Sequence, residues 1–225
     1  MNDIKNKIFN LLDKAEKDKI DYNDLESLLN IILSKDLDQL SAYAFLDLLH
    51  FSNVMELIAE NDSDYWALKI SDIIENYNFH TGQLIFQRTK RYKDKPALIT
   101  IDGENKNIIT YNKLWNDLVL CAKSIKSISK KKTINIGVLS VNQYKSALID
   151  LCCLSFGYRV IPIPLNSTSE HLSYIINETD INILFVGGEK AVQLWNVVHK
   201  YHNIKIIDIN EIRSIKGNSI SWEYF

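Results

Sequence analysis

Few residues of this chain have the types and spacing that chemistry requires. Gly187-Gly188-Glu189-Lys190 stands between an apolar run and a helix-length segment. A strand-to-helix turn of that kind can bring backbone N–H groups and an ammonium to a phosphate. However, neither GxGxxG nor GxxxxGK[ST] occurs, and the chain has only seven glycines. The sequence therefore reads here as a turn. Ser140 closes another apolar run, but no GxSxG elbow surrounds it and no histidine is near it in sequence. His199 and His202 have i, i+3 spacing that could serve a metal, yet no Asp, Glu or Cys nearby completes a ligand set, so they read as a solvated pair. His171 falls on the polar side of a helix's first turn. Cys121, Cys152 and Cys153 lie in apolar helical segments without zinc-ligand spacing and read as buried small hydrophobes in a reducing compartment. No residue earns a catalytic, cofactor-binding or metal-binding role.

Composition narrows the classes further. The 225 residues are 46% hydrophobic and 24% charged, ordinary values for a globular protein with a substantial core. The net charge of −2, from 26 basic and 28 acidic side chains, lacks the basic field that nucleic-acid binding uses. Lys130, Lys131 and Lys132 form the one basic run, where a helix should end and its dipole favours cations. No segment approaches the ~18 to 20 apolar residues of a membrane helix, and the N-terminus has no long apolar signal core. The expectation is a cytoplasmic protein without a membrane span.

The elements that must position these residues divide the chain. Residues 1–76 have no proline, no glycine and no β-like alternation, and predict a small all-α region. Its stripes are Ile4, Ile8, Leu11, Leu12 and Ala15, then Leu25, Leu28, Leu29 and Ile32 after a cap at Asp21 or Asn23. A third follows Ser34 with Leu37, Leu40, Ala44 and Leu46–Leu49; a fourth runs from Ser63 through Trp66, Ile70, Ile73 and Ile74. Such stripes are expected to form a helical core.

Residues 77–225 have an α/β texture. A helix over 81–92 precedes Pro96; the runs ALITI and NIIT around Asp102-Gly103 predict a hairpin. Thr110 is the N-cap of a helix to about Ile128, whose stripe includes Trp115. INIGVLS, RVIPIPL, INILFVG and IKIIDI then alternate with helices beginning near Asn142, at the capping-box pattern Ser167 to Glu170, and at Gly188; Gly157 ends the first of these helices. Strands this apolar belong in a mostly parallel, Rossmann-like sheet with helices on both faces. Ligands of such sheets bind beyond the carboxyl ends of the strands. The loops that matter are thus Ser140–Asn142, Pro164–Ser167, Gly187–Lys190 and Asp208–Asn210.

The order of these segments resembles the opening of the adenylate-forming (AMP-binding) superfamily of acyl-CoA synthetases, luciferases and nonribosomal-peptide adenylation domains. Tyr92 to Ile99 is similar to that family's "ypdkpAli" and Thr110 to Leu114 to its "tYaEL". Ser155 to Asn166 is similar to "kaGavyvPldp", keeping Gly157 and Pro162, and Glu170 to Val186 to "erl.yil.ds.akvlit". The likeness spans roughly residues 78–210. Lys113 stands where the family has a carboxylate.

This resemblance implies a ligase that forms an acyl-adenylate from a carboxylate and ATP with Mg, then passes the acyl group to a thiol such as CoA or a carrier-protein phosphopantetheine. It also implies a phosphate loop rich in Ser, Thr and Gly downstream of the matched region, adenine- and ribose-binding segments and a catalytic lysine. None has a counterpart up to Ser221-Trp222-Glu223-Tyr224-Phe225. The expectation is an N-terminal ligase fragment, inactive alone and needing no cofactor by itself. Its expected partners are the missing ligase segments or a carrier protein. The alternative is a non-catalytic interaction module, or one half of a split ligase that docks a partner chain.

Overall fold

The structure, a computed structural model, describes residues 2–34, 38–212 and 214–225. Leu37, placed above in a helical stripe, lies outside the described residues. The chain divides into two compact units, Met1–His80 and Thr81–Phe225.

The first unit is helical: α1 (Asn2–Glu16), α2 (Tyr22–Ser34), α3 (Gln39–Leu48), α4 (Ser52–Glu60) and α5 (Ser63–Asn76). Caps start three of them. Asp21 accepts the Asp24 N–H at 2.9 Å, Asp38 caps α3 through Ser41, and Asp62 caps α5 through Tyr65. The core holds Ile8, Leu11, Leu25, Leu28, Phe45, Val54 and Trp66, with the Trp66 indole donating to the Tyr22 hydroxyl at 3.2 Å. Helix α4 is absent from the sequence reading. It has nine residues, buries only Val54 and Ile58, and its N-cap residue Phe51 makes no side-chain cap. Leu40 is 70% exposed rather than on the buried stripe, because α3 turns Ala42, Phe45, Leu46 and Leu48 inward.

The second unit begins with α6 (Thr81–Tyr92) and the hairpin of β1 (Pro96–Asp102) and β2 (Asn105–Thr110), whose turn places Gly103 at φ +58°. Helix α7 (Tyr111–Ile128) starts at Thr110, which accepts the Lys113 N–H at 3.2 Å. There follow β3 (Asn135–Ser140), α8 (Tyr144–Phe156), β4 (Arg159–Pro162), α9 (Ser169–Glu178), β5 (Ile183–Gly187), α10 (Glu189–Val198), β6 (Lys205–Asp208) and β7 (Ser219–Ser221). The short strand β7 was not foreseen.

Strands β3 to β7 form one parallel sheet in the order β4-β3-β5-β6-β7. Alternate residues of β5 feed opposite layers, as the strand period of two requires. Ile183 and Phe185 pack with α7 and α8; Leu184 and Val186 pack with α9 and α10. The fold is α/β with helices on both faces of the sheet, preceded by a helical region. Strand β4 is an edge with both faces only partly covered, which suits its terminal Pro162.

Two helix starts differ from expectation by one or two residues. Helix α8 begins at Tyr144 with Gln143 as its cap residue, because the Gln143 N–H is satisfied by the Ser146 hydroxyl at 3.1 Å. Helix α9 is capped by Thr168, which accepts the His171 N–H at 3.2 Å, and not by Ser167, whose buried hydroxyl has no partner. No helix among the described residues is long and apolar enough to cross a membrane.

Candidate functional site

The chain reverses direction across the sheet between β3 and β5, the point where doubly wound sheets hold their ligands. Here Ser140 pairs with Gly187, and three of the four candidate loops converge. Side chains of the chain's own loops meet across it. The Gln143 amide donates to Asn210 Oδ1 and accepts from Asn210 Nδ2, both at 3.0 Å, and donates to Ser140 Oγ at 3.0 Å. A Cβ on Gly187 would overlap the Ser140 hydroxyl and come within 2.8 Å of Gln143 Nε2 and 3.0 Å of Asn210 Oδ1. Gly187 is therefore a close-approach glycine facing an amide plug.

Gly188, at φ +94° and ψ 152°, takes a conformation nearly restricted to glycine so that α10 can start. Both glycines are thus explained by packing and by the turn. Lys190 is exposed beyond them. Asp208, 4% exposed, accepts the Asn210 N–H at 3.1 Å. Burial raises its carboxyl above the ordinary range, and backbone N–H groups of its own loop pull it back down.

A magnesium-bound nucleotide entering here would meet this amide pair. Displacing the three hydrogen bonds of Gln143, at about 1 kcal/mol each, would lower the affinity of an entering anion roughly a hundredfold. The buried Asp208 carboxylate already accepts from its own loop.

The remaining candidates stay apart. His199 Nδ1 is 2.9 Å from the Asn196 carbonyl, while His202 Nε2 is 3.1 Å from the Ser173 hydroxyl, so the two rings serve different neighbours. Burial lowers the His202 pKa. His171 is exposed in the first turn of α9. Among the described residues no group of three or more His, Cys, Asp or Glu could hold a metal ion. Lys130–Lys132 follow the end of α7, and Lys131 pairs with Asp180 at 3.7 Å. Trp115 is half-buried between Phe86 and Phe156. The cysteines are buried and free. Hydrogen bonding with Cys121, then burial, raises the Cys152 thiol, and burial raises that of Cys153, so both stay protonated.

An apolar-walled cleft lies outside the candidate loops. It lies where β2, α7 and α8 meet the segment 222–225 and has a volume of about 420 Å³. Its apolar lining includes Ile109, Leu120, Leu148, Trp222 and Phe225. Trp222 and Phe225 also pack edge-on against Phe185 of β5, which fixes this wall to the sheet. Its polar side holds Lys113, Asp117, Tyr144 and Lys145. Asp117 accepts from the Tyr144 hydroxyl at 2.6 Å and from Lys113 Nζ at 2.8 Å. Burial, reinforced by Asp117, keeps the phenol protonated far above its ordinary range. Lys145 donates to the Ile209 carbonyl at 2.7 Å and lies 5.3 Å from the centre of the Trp222 ring. The only signal in sequence is Lys113 in place of a carboxylate.

Comparison with known proteins now bears on this geometry. The sequence profile of the AMP-binding enzymes matches residues 85–220, more than half of the chain. Long-chain-fatty-acid–CoA ligases (ACSBG2) of Xenopus laevis and Rattus norvegicus are each 20% identical, over 161 and 111 residues, or 70% and 49% of this chain. The chain spans about a fifth of their length, 22% and 17%. Among solved structures, the inhibitor-bound N-terminal domain of FACL13 from Mycobacterium tuberculosis aligns over 64% of this chain and 34% of its own, at TM-score 0.51 and 12% identity. The luciferase-like enzyme of the nonluminescent Zophobas morio mealworm aligns over 62% and 32%, at TM-score 0.51 and 16% identity. These likenesses establish the fold, and the profile establishes the lineage. The chain belongs to the AMP-binding enzyme family.

Proposed function

We propose that this chain is scaffold from an adenylate-forming acid–thiol ligase, without turnover of its own. The assembled ligase would join a carboxylate to the adenylate of Mg-ATP, release pyrophosphate and pass the acyl group to a thiol such as CoA or a carrier-protein phosphopantetheine. The observation that carries this reading is the crevice at the β3/β5 switch point, closed by Gln143 and Asn210 against Gly187. Catalysis at a phosphoryl centre depends on backbone donors and positive charge aimed at it. Here the Gly187 side of the crevice faces an amide plug instead. Its partners are then the remaining segments of a ligase or a carrier protein. The three buried, free thiols support a reducing compartment such as the cytoplasm.

A second reading, a partner-docking module, is favoured by the helical unit. It precedes the matched residues 85–220 and exposes Phe9, Leu40 and Leu68.

Carboxylate-dependent exchange of labelled pyrophosphate into ATP tests the first reading. The purified chain should give no exchange above the protein-free rate with acetate, decanoate, benzoate or amino acids. Exchange with any of them overturns it.

A further inference from the structure

A second cleft opens at the edge of the sheet, between α8, the Ser140–Asn142 loop and the exit of β4. Its volume of about 560 Å³ falls within the ~300 to 1,000 Å³ of small-molecule sites. Ile163, Pro164 and Leu165 form an apolar wall, and Asp150 of α8 is the one titratable side chain among the described residues that line it. The neighbouring hydroxyls are engaged: Ser140 donates to the Val141 carbonyl at 2.9 Å and Ser146 to the Gln143 carbonyl at 2.8 Å. Lys145 is turned elsewhere on α8, to the Ile209 carbonyl and the Trp222 ring. Asp150 is left over. One of its oxygens is buried without a hydrogen-bond partner, and burial alone, with no neighbouring charge, moves its carboxyl. A partly desolvated carboxylate without a donor is costly, and a charge-assisted N–H···O bond relieves that cost most strongly.

We infer that this cleft binds a small amphipathic cation, a primary alkylammonium with its head at the Asp150 carboxylate and its chain against Ile163, Pro164 and Leu165. The site performs no bond-making step. It stands independently of the ligase reading, because an amine without a carboxyl group is neither the acid nor the thiol of that reaction.

Titration of the full chain with hexylamine, hexanol and hexanoate, followed at the Leu165 methyl resonances, tests it. These resonances are assigned by their loss in Leu165→Val. Hexylamine should shift them saturably, hexanol should bind about tenfold more weakly for want of the charge-assisted bond, and hexanoate should not bind. Pentylamine should bind more tightly than norleucine, which differs from it only by a carboxylate that would lie beside Asp150. Asp150→Asn should bring hexylamine to the affinity of hexanol. Asn142→Lys provides a second variant at an exposed position on the lining, and should weaken hexylamine several-fold and hexanol little. Absence of a saturable shift with hexylamine overturns the inference. So does equal affinity for hexylamine and hexanol, tighter binding of norleucine than of pentylamine, or a hexylamine preference that survives both variants.

Discussion

The two units of this chain turn corners with different chemistry. Residues 1–80 contain neither glycine nor proline, and their tight turns put Asp18 at φ +54° and Asn78 at φ +52°. The α/β unit also has Lys93, Asp180 and Glu211 at positive φ, but it adds Gly103, Gly157, Gly188 and Gly217 there, and ends its edge strand in Pro162. Asn and Asp tolerate the left-handed region through local hydrogen bonds, whereas glycine enters it without steric cost. The contrast teaches where a sequence announces its own boundaries. A glycine or a proline marks a corner by its covalent geometry. An aspartate at a corner looks the same as one on a solvated helix face.

Substitutions can break or sharpen this comparison. The largest effect is expected for Trp66→Ala, which empties a fully buried site of the helical core and orphans the Tyr22 hydroxyl. A loss of about 3 to 5 kcal/mol is expected by chemical denaturation. Hydrogen exchange should quicken within residues 2–80 and stay slow in β3 and β5. Equal acceleration in those strands would end the distinction between two separately stabilised units.

Gly188→Ala is next. Its backbone conformation is strained for any side chain, and the new Cβ would meet Val141 at 3.1 Å. A loss of about 1 to 3 kcal/mol is expected, against no measurable loss for Asn78→Gly, where the turn residue already carries a side chain. A similar loss at both positions would erase the difference in turn chemistry.

Thr168→Ala and Ser167→Ala differ by one position and should differ in effect. Removing the cap that receives the His171 N–H should cost about 1 kcal/mol. Removing the unpartnered Ser167 hydroxyl should be neutral or slightly stabilising. Thermal melts of the two variants decide whether Thr168 alone caps α9.

The smallest effect concerns pH. One Asp150 oxygen is buried without a partner, and burial raises its carboxyl above the ordinary value of 3.8. A folded-state pKa above the unfolded one penalises the fold at neutral pH and releases the penalty as pH falls through the acid range. Asp150→Asn should therefore raise the melting midpoint at pH 7, with the gain fading toward pH 4. A gain independent of pH would point to packing instead of charge.

Much of the fold was legible in the sequence. Helix α6, the hairpin, the Thr110 cap, four of the five parallel strands and the Gly157 corner each follow from a run of apolar residues closed by a residue of restricted geometry. What escaped lacks either the apolar run or the closing mark. Helix α4 is short and has no side-chain cap, and β7 has three residues reached through a loop held from outside by Asn196 and Trp195. The candidate loops were found because sheet topology alone selects them, but their filling was not. Gln143 and Asn210 are 67 positions apart, and nothing in their local sequence shows that their amides meet. The Lys113–Asp117–Tyr144 chain escaped for the same reason, being assembled across α7 and α8.

The central claim is that the switch-point crevice is closed to nucleotide in this chain. Titration with Mg-ATP, followed at the Gly187 and Gly188 amide resonances, tests it most directly. The account predicts that both resonances stay unmoved at millimolar Mg-ATP. Saturable shifts at the two glycines, with loss of the Gln143–Asn210 pairing, would contradict it.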